Sequence, residues 1–164
     1  SIKKYAALSE AIDDKYNWQP IINIEDAFKS DYNPNKAIHD IKLELNNDNR
    51  VTFGVLLDVQ YGSNGAVGSY HKHNDTWMLT PEIEQDAKDD NIEAGHEMII
   101  IGYDDNAVVK SNNGVINKGL FILRNSWGKS AGDRGNYYMT YEHFKLMALE
   151  AQSLKIKVQN PTTV

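Results

Sequence analysis

The sequence predicts an α+β fold, in which two N-terminal helices precede a mostly antiparallel sheet or barrel within a single lobe spanning residues 1–164. Three features point to it. Apolar residues recur at helical spacing in the N-terminal part, apolar runs of strand length follow from Val51 onward, and clusters of Gly, Asn and Asp separate those runs.

Ile2, Tyr5, Leu8, Ile12 and Tyr16 form one apolar stripe, so the opening stretch reads as a helix that ends at Trp18-Gln19-Pro20. A second helix is expected from about Asn35 to Leu45, with Ile38, Ile41 and Leu45 inward and Asp31 or Asn35 as its cap. Asn46 to Asn49 is a turn, after which Val51 to Val59 reads as a strand apolar on both faces. Residues 61–94 read as a long irregular segment whose acidic run, Glu82, Glu84, Asp86, Asp89, Asp90 and Glu93, is a solvated face. In the strand from Gly95 to Tyr103, His96, Met98 and Ile100 point one way while Glu97, Ile99 and Ile101 point the other. Asn112-Asn113-Gly114 signals a hairpin into a strand over Gly119 to Arg124. A strand around Tyr137 to Tyr141, a short helix over Tyr141 to Leu149 and a last strand over Ser153 to Val158 complete the pattern.

Composition narrows the function. Seventeen Lys and Arg against 23 Asp and Glu give a net charge of −6, with no basic patch, which argues against a protein that works by neutralising nucleic-acid phosphates. The longest apolar run, Met98 to Ile101, is too short to cross a bilayer, and SIKKYAALSE has no signal-peptide core. Cysteine is absent, which excludes disulfides, thiolate metal sites and a cysteine nucleophile within this sequence.

Two segments concentrate chemistry. Gly95-His96-Glu97-Met98-Ile99-Ile100-Ile101-Gly102-Tyr103-Asp104 starts a rigid strand with a histidine, and Gly119-Leu120-Phe121-Ile122-Leu123-Arg124-Asn125-Ser126-Trp127-Gly128 ends one with an asparagine and a tryptophan. If those strands are neighbours, Asn125 can accept the ring N–H of His96 and fix its tautomer without adding a charge. Trp127 would then shield that bond and lower its local dielectric.

These strings, with the turn Gly132-Asp133-Arg134-Gly135-Asn136-Tyr137 behind them, resemble the histidine and asparagine motifs of papain-like cysteine peptidases. The resemblance covers roughly residues 35–141 and implies the β-rich, C-terminal half of a two-lobed hydrolase. It implies His96 as general base and acid, Asn125 as its orienting partner and Trp127 as the cover. It further implies a pocket for a substrate side chain lined by Gly54, Ala94, Gly95 and Glu97, and no cofactor or metal. Glu97 stands where the family has a small residue, so an acidic subsite favouring Lys or Arg is expected, unless Glu97 pairs locally or faces solvent. Ala131 stands where the family often has a second tryptophan.

The nucleophile should then come from a separate cysteine-bearing lobe or from residues preceding Ser1. The family places its cysteine about 130–150 residues before the histidine and asparagine, and only 95 residues precede His96. The expected partners are that lobe and a polypeptide substrate, and the family favours a secreted, periplasmic or lysosomal compartment. The alternatives are a pseudo-peptidase that binds peptides without cutting them and a fragment that merely keeps the fold. Elsewhere, His71-x-His73 has metal-pair spacing on a strand but no third ligand nearby. His39 and His143 read as helix-surface residues, Trp18 and Trp77 as core or loop anchors, and Asn74-Asp75-Thr76 as a glycosylation pattern common by chance.

Overall fold

The computed structural model describes Ala11 and residues 15–62, 64–92 and 94–157. Among these, eight strands and four helices run in order: β1 (Tyr16–Ile22), α1 (Ile24–Ala27), α2 (Pro34–Asn46), β2 (Arg50–Leu57), β3 (Gly68–Ser69), β4 (Thr76–Trp77), α3 (Pro81–Lys88), β5 (Ala94–Ser111), β6 (Ile116–Arg124), β7 (Asn136–Thr140), α4 (Tyr141–Met147) and β8 (Ala148–Ile156). The sheet order is β1-β8-β2-β5-β3-β4-β7-β6, and β6 pairs back onto β5. Strands β5, β3, β4, β7 and β6 therefore close a small barrel, while β2, β8 and β1 extend it as an open wing. The pairings are antiparallel except β4 with β7. This is the expected α+β architecture.

The long β5 is the spine. Its first half alternates as the sequence predicts, with Met98 and Ile100 buried and Glu97 and Ile99 exposed. It pairs with β2, β3 and β6, and two register shifts against β6 let one strand serve both wing and barrel. The hairpin to β6 turns at Asn112-Asn113-Gly114, where Gly114 takes a φ of +85°. The main core gathers Phe53, Val55, Ile100, Phe121, Leu123 and Phe144 beneath α2. Ile38 and Ile41 of α2 enter it, each contributing about 1.5–3 kcal/mol by burial.

Several expectations need correction. The predicted first helix lies mostly outside the described residues, and its last member, Tyr16, begins β1. Trp18-Gln19-Pro20 is inside that strand, at the free edge of the sheet, where a proline leaves no ladder donor missing and Trp18 stays 44% exposed. Asn33 caps α2, accepting from Asn35 N and Lys36 N at 3.1 Å each, because Pro34 occupies the first helical turn. The segment 61–94 is not irregular throughout: it holds β3, β4 and α3, whose Thr80 cap and Pro81 start the helix over the acidic run. Asp86 of that run is half-buried. His143 is fully buried at 0% exposure rather than on a helix surface. His71 sits in the turn before β4, its ring 4.2 Å from Tyr70 and 5.3 Å from Tyr138. Among the described residues, no group of three His, Cys, Asp or Glu could hold a metal ion, and no helix is long and apolar enough to cross a membrane.

Candidate active site

The strand register brings the two motifs together. Arg124 pairs with Ile99, so the next residue, Asn125, lies opposite Met98 and diagonal to His96 on the same face of the sheet. Beyond β6 the chain is held by Asn125 N–H donating to Gly135 O at 3.1 Å, which anchors the turn-rich loop between them.

The imidazole and the carboxamide meet: His96 Nε2 lies 2.9 Å from Asn125 Oδ1. The backbone N–H of Ser126 donates to the same Oδ1 at 2.7 Å. A backbone N–H can only donate, so the amide oxygen is fixed there, and the ring nitrogen facing it must carry its proton. That places a proton on Nε2. Among the described residues nothing bonds Nδ1. Asn125 is 7% exposed, and its Nδ2 is buried with no hydrogen-bond partner.

Trp127 lies over the histidine, ring centroids 4.9 Å apart and planes 25° from parallel. Behind it stand two aromatics that sequence reasoning missed as parts of the site. Trp77 and Tyr137 stack on each other at 4.8 Å, and both meet Trp127 in edge-to-face contact, at 6.2 and 5.5 Å. Both are buried, so the exposed Trp127 rests on a rigid base. Ala131 is half-buried and packs against the main core.

A cavity of about 310 Å³ opens beside His96, lined by Ile24, Gly54, Val55, Gly95, Glu97, Leu149 and Glu150. It gathers three of the four sequence-predicted lining residues. Ala94, the fourth, pairs with Leu57 at the strand end and does not line it. Gly54 makes room: a Cβ there would lie 3.0 Å from Glu150 Cγ and Oε1. Glu97 is exposed and forms no ion pair among the described residues, so of the two local alternatives it faces solvent, at the cavity rim. Glu150, opposite Gly54 in β8, was missed because β8 was expected to begin only at Ser153. A second cavity of about 470 Å³ shares Glu97 and runs past Thr52, Ile99, Arg124, Asn125 and Ser126.

The site thus joins a histidine oriented by a neutral amide, an open cavity beside it and a tryptophan over its ring. The chain belongs to the papain family of cysteine proteases, whose family model matches residues 57–156. No curated protein gives a significant match. Among solved structures, the chain resembles the clostridial cysteine protease Cwp84 after propeptide cleavage, at 17% identity and a TM-score of 0.52, covering 89% of this chain and 31% of that one. It also resembles xylellain, a cysteine protease from Xylella fastidiosa, at 19% identity and a TM-score of 0.44, covering 74% and 37% respectively. The SERA5 proenzyme of Plasmodium falciparum matches at 18% identity and a TM-score of 0.46, covering 92% and 33%. The chain thus spans about a third of the length of these solved proteases.

Proposed function

We propose that this chain is the histidine- and asparagine-bearing half of a papain-like peptidase that hydrolyses peptide bonds with a cysteine contributed from outside this sequence. The observation that carries the reading is the oriented pair: Asn125 Oδ1, fixed by Ser126 N–H, holds His96 Nε2–H at 2.9 Å. In this reading the free Nδ1 takes the proton of the incoming thiol, and the thiolate attacks the peptide carbonyl carbon. The protonated Nδ1 then returns its proton to the leaving amine, and a water activated by the same nitrogen hydrolyses the thioester. Throughout, Nε2–H stays on Asn125, whose neutral oxygen steers the ring without pinning a counter-charge beside it. Trp127 keeps water from that bond.

The cavity supports a preference for a basic substrate side chain. Ile24, Val55 and Leu149 give it apolar walls for an aliphatic stem, while Glu97 and Glu150 place carboxylates where a guanidinium or ammonium head would arrive.

The test is labelling of the native protein with a thiol-reactive peptidyl epoxide, followed by intact mass measurement. One covalent label is expected on a cysteine continuous with this chain or bound to it. His96→Ala should slow labelling by about 100-fold or more. Absence of label from every associated polypeptide would favour an inert, peptide-binding relative instead. Glu97→Ala with Glu150→Ala should lower the preference for Lys or Arg over Leu in peptide substrates, and unchanged selectivity would remove the acidic-subsite part of the reading.

A further inference from the structure

The chain that leaves β2 at Asp58 is held at several points along its way to Ala66. The buried Asp58 accepts Gln60 N–H on Oδ1 at 3.0 Å, the Tyr61 hydroxyl donates to Asp86 of α3 at 2.8 Å, and Ala66 is buried in the main core. Gly65, at a φ of +75°, passes so close to the strand end that a Cβ there would lie 2.3 Å from Asp58 O. Glycine alone meets both demands, the left-handed backbone and the close approach. Asn64, the residue before it, therefore stands at a set place in the fold.

From that place it reaches both rings on which Trp127 rests. The backbone carbonyl of Asn64 accepts Trp77 Nε1–H at 2.8 Å, and its side-chain Nδ2 donates to the Tyr137 hydroxyl at 3.2 Å. Trp77 and Tyr137 are buried, and among the described residues Asn64 is the hydrogen-bond partner of the indole N–H and of the phenol alike. The carbonyl would be supplied by any residue at this position, but the amide would not. The identity of residue 64 therefore matters through the Tyr137 hydroxyl. Trp127 is 41% exposed, and its ring contacts are Trp77 and Tyr137 on one side and His96 on the other. Its plane over the imidazole thus depends on how firmly those two buried rings are held.

We propose that Asn64 is a positioning residue of the site: its amide clamps the Tyr137 hydroxyl, its carbonyl clamps the Trp77 indole, and the clamped pair holds Trp127 flat over His96, which keeps water from the His96–Asn125 bond. The consequence for chemistry rests on the reading of His96 as the base, and it adds a residue that touches neither the substrate nor the reacting atoms. Without the amide, the Tyr137 ring keeps its stacking on Trp77 but loses the tether at its polar end. Trp127 then rocks on a looser base, and water reaches the imidazole–carboxamide bond more often. The amide contributes one neutral hydrogen bond, which corresponds to about three- to tenfold in a rate that depends on it.

The test pairs the rate of epoxide labelling of the native protein with the solvent exchange of the His96 Nε2 proton, followed by NMR on protein carrying isotope-labelled histidine. Asn64→Ala should slow labelling about three- to tenfold and speed exchange of that proton by a similar factor, with the circular dichroism unchanged. Tyr137→Phe should reproduce both effects. The double variant should be no worse than either single one, because both substitutions remove the same bond. Asn64→Asp turns that bond round, the Tyr137 hydroxyl donating to the carboxylate, and should bring labelling and exchange back to within about twofold of the unaltered protein. Labelling and exchange in Asn64→Ala that match the unaltered protein would overturn the proposal. So would additive losses in the double variant, or an Asn64→Asp protein as impaired as Asn64→Ala. Should Asn64→Ala fail to fold, Tyr137→Phe, which removes a single oxygen, decides the matter by the same two readings. Failure of the peptidase reading would show separately, as absent label on the unaltered protein, while the exchange comparison would still decide whether Asn64 holds the cover over His96.

Discussion

His143 makes the stability of this fold depend on pH in a direction that can be worked out from its surroundings. It sits in the first turn of α4, completely buried, and neither ring nitrogen completes a hydrogen bond. Burial pushes its pKa down from 6.5 to about 4, although the backbone of Met78 and Leu56 near the ring favours the charged form. In the unfolded chain the ring takes up a proton as pH falls through about 6.5, whereas the folded protein resists until about 4. Between those values the unfolded state binds more protons, so stability is fully present above pH 6.5 and is lost on acidification. The slope is about 1.4 kcal/mol per pH unit, and the full span removes about 3 kcal/mol, a large part of the 5–15 kcal/mol typical of a domain. The raised pKa of Asp58 acts with the opposite sign, relieving a cost as pH falls, so total stability alone would mix the two. Comparison with His143→Gln separates them, because Asp58 is common to both proteins. Urea unfolding at half-unit steps from pH 7.5 to 4.5 should give a difference between the two that shrinks toward acid at that slope. Parallel stability curves would refute the assignment of a neutral, buried imidazole.

The remaining predictions are briefer. Asp75 is fully buried and its carboxylate accepts the backbone N–H groups of Tyr70, His71 and Lys72 and the Thr76 hydroxyl, at 2.6–2.9 Å. Asp75→Ala should therefore cost about 2–4 kcal/mol in urea unfolding, and a loss below about 1 kcal/mol would show that water replaces the carboxylate. Gly54→Leu should fill the cavity against Glu150 and abolish acceptance of long basic side chains in peptide assays while leaving the circular dichroism unchanged. Trp127→Ala should leave the melting temperature within a few degrees, since the ring is 41% exposed, yet slow epoxide labelling at least tenfold by opening the His96–Asn125 bond to water. Phe28, Ile116, Ile156 and Val108 are more than half exposed, so this chain alone should bind a hydrophobic dye or self-associate in light scattering; a monodisperse, dye-free chain would contradict that.

The site was more legible in the sequence than its surroundings. His96 and Asn125 lie on strands with strong local patterns, GHEMIII and GLFILRN, and the hairpin signal at Asn112-Asn113-Gly114 pairs those strands, so their meeting follows from local information. The second cavity carboxylate was not legible. Glu150 and Gln152 interrupt the apolar pattern of β8, and the register shift against β2 between Gly54 and Val55 breaks its alternation. Strand β1 hid for a related reason: at the free edge of the sheet it buries Ile22 alone, and it contains a proline. Helix α3 did carry its signals, Thr80 as cap, Pro81 at the start and Ile83 with Ala87 one turn apart, but the dense acidic run drew the reading toward solvent. The burial of His143 comes from packing across the lobe, which no local pattern records.

The cost structure of Asn125 bears on why an amide stands there. Its oxygen is used twice, by Ser126 N–H and by His96, but its Nδ2 is buried with no acceptor, a loss of about 1–3 kcal/mol by desolvation. A residue selected for stability alone would not keep that group, since a smaller or apolar side chain would spare it. An aspartate would put a second carboxylate oxygen in the same buried place, an ionised group with no donor to meet it. The amide is thus the side chain that orients the imidazole without adding a buried charge, at the expense of a local deficit in stability. An unpartnered buried amide of this kind is rare in native folds, and here it sits beside the oxygen that holds the imidazole.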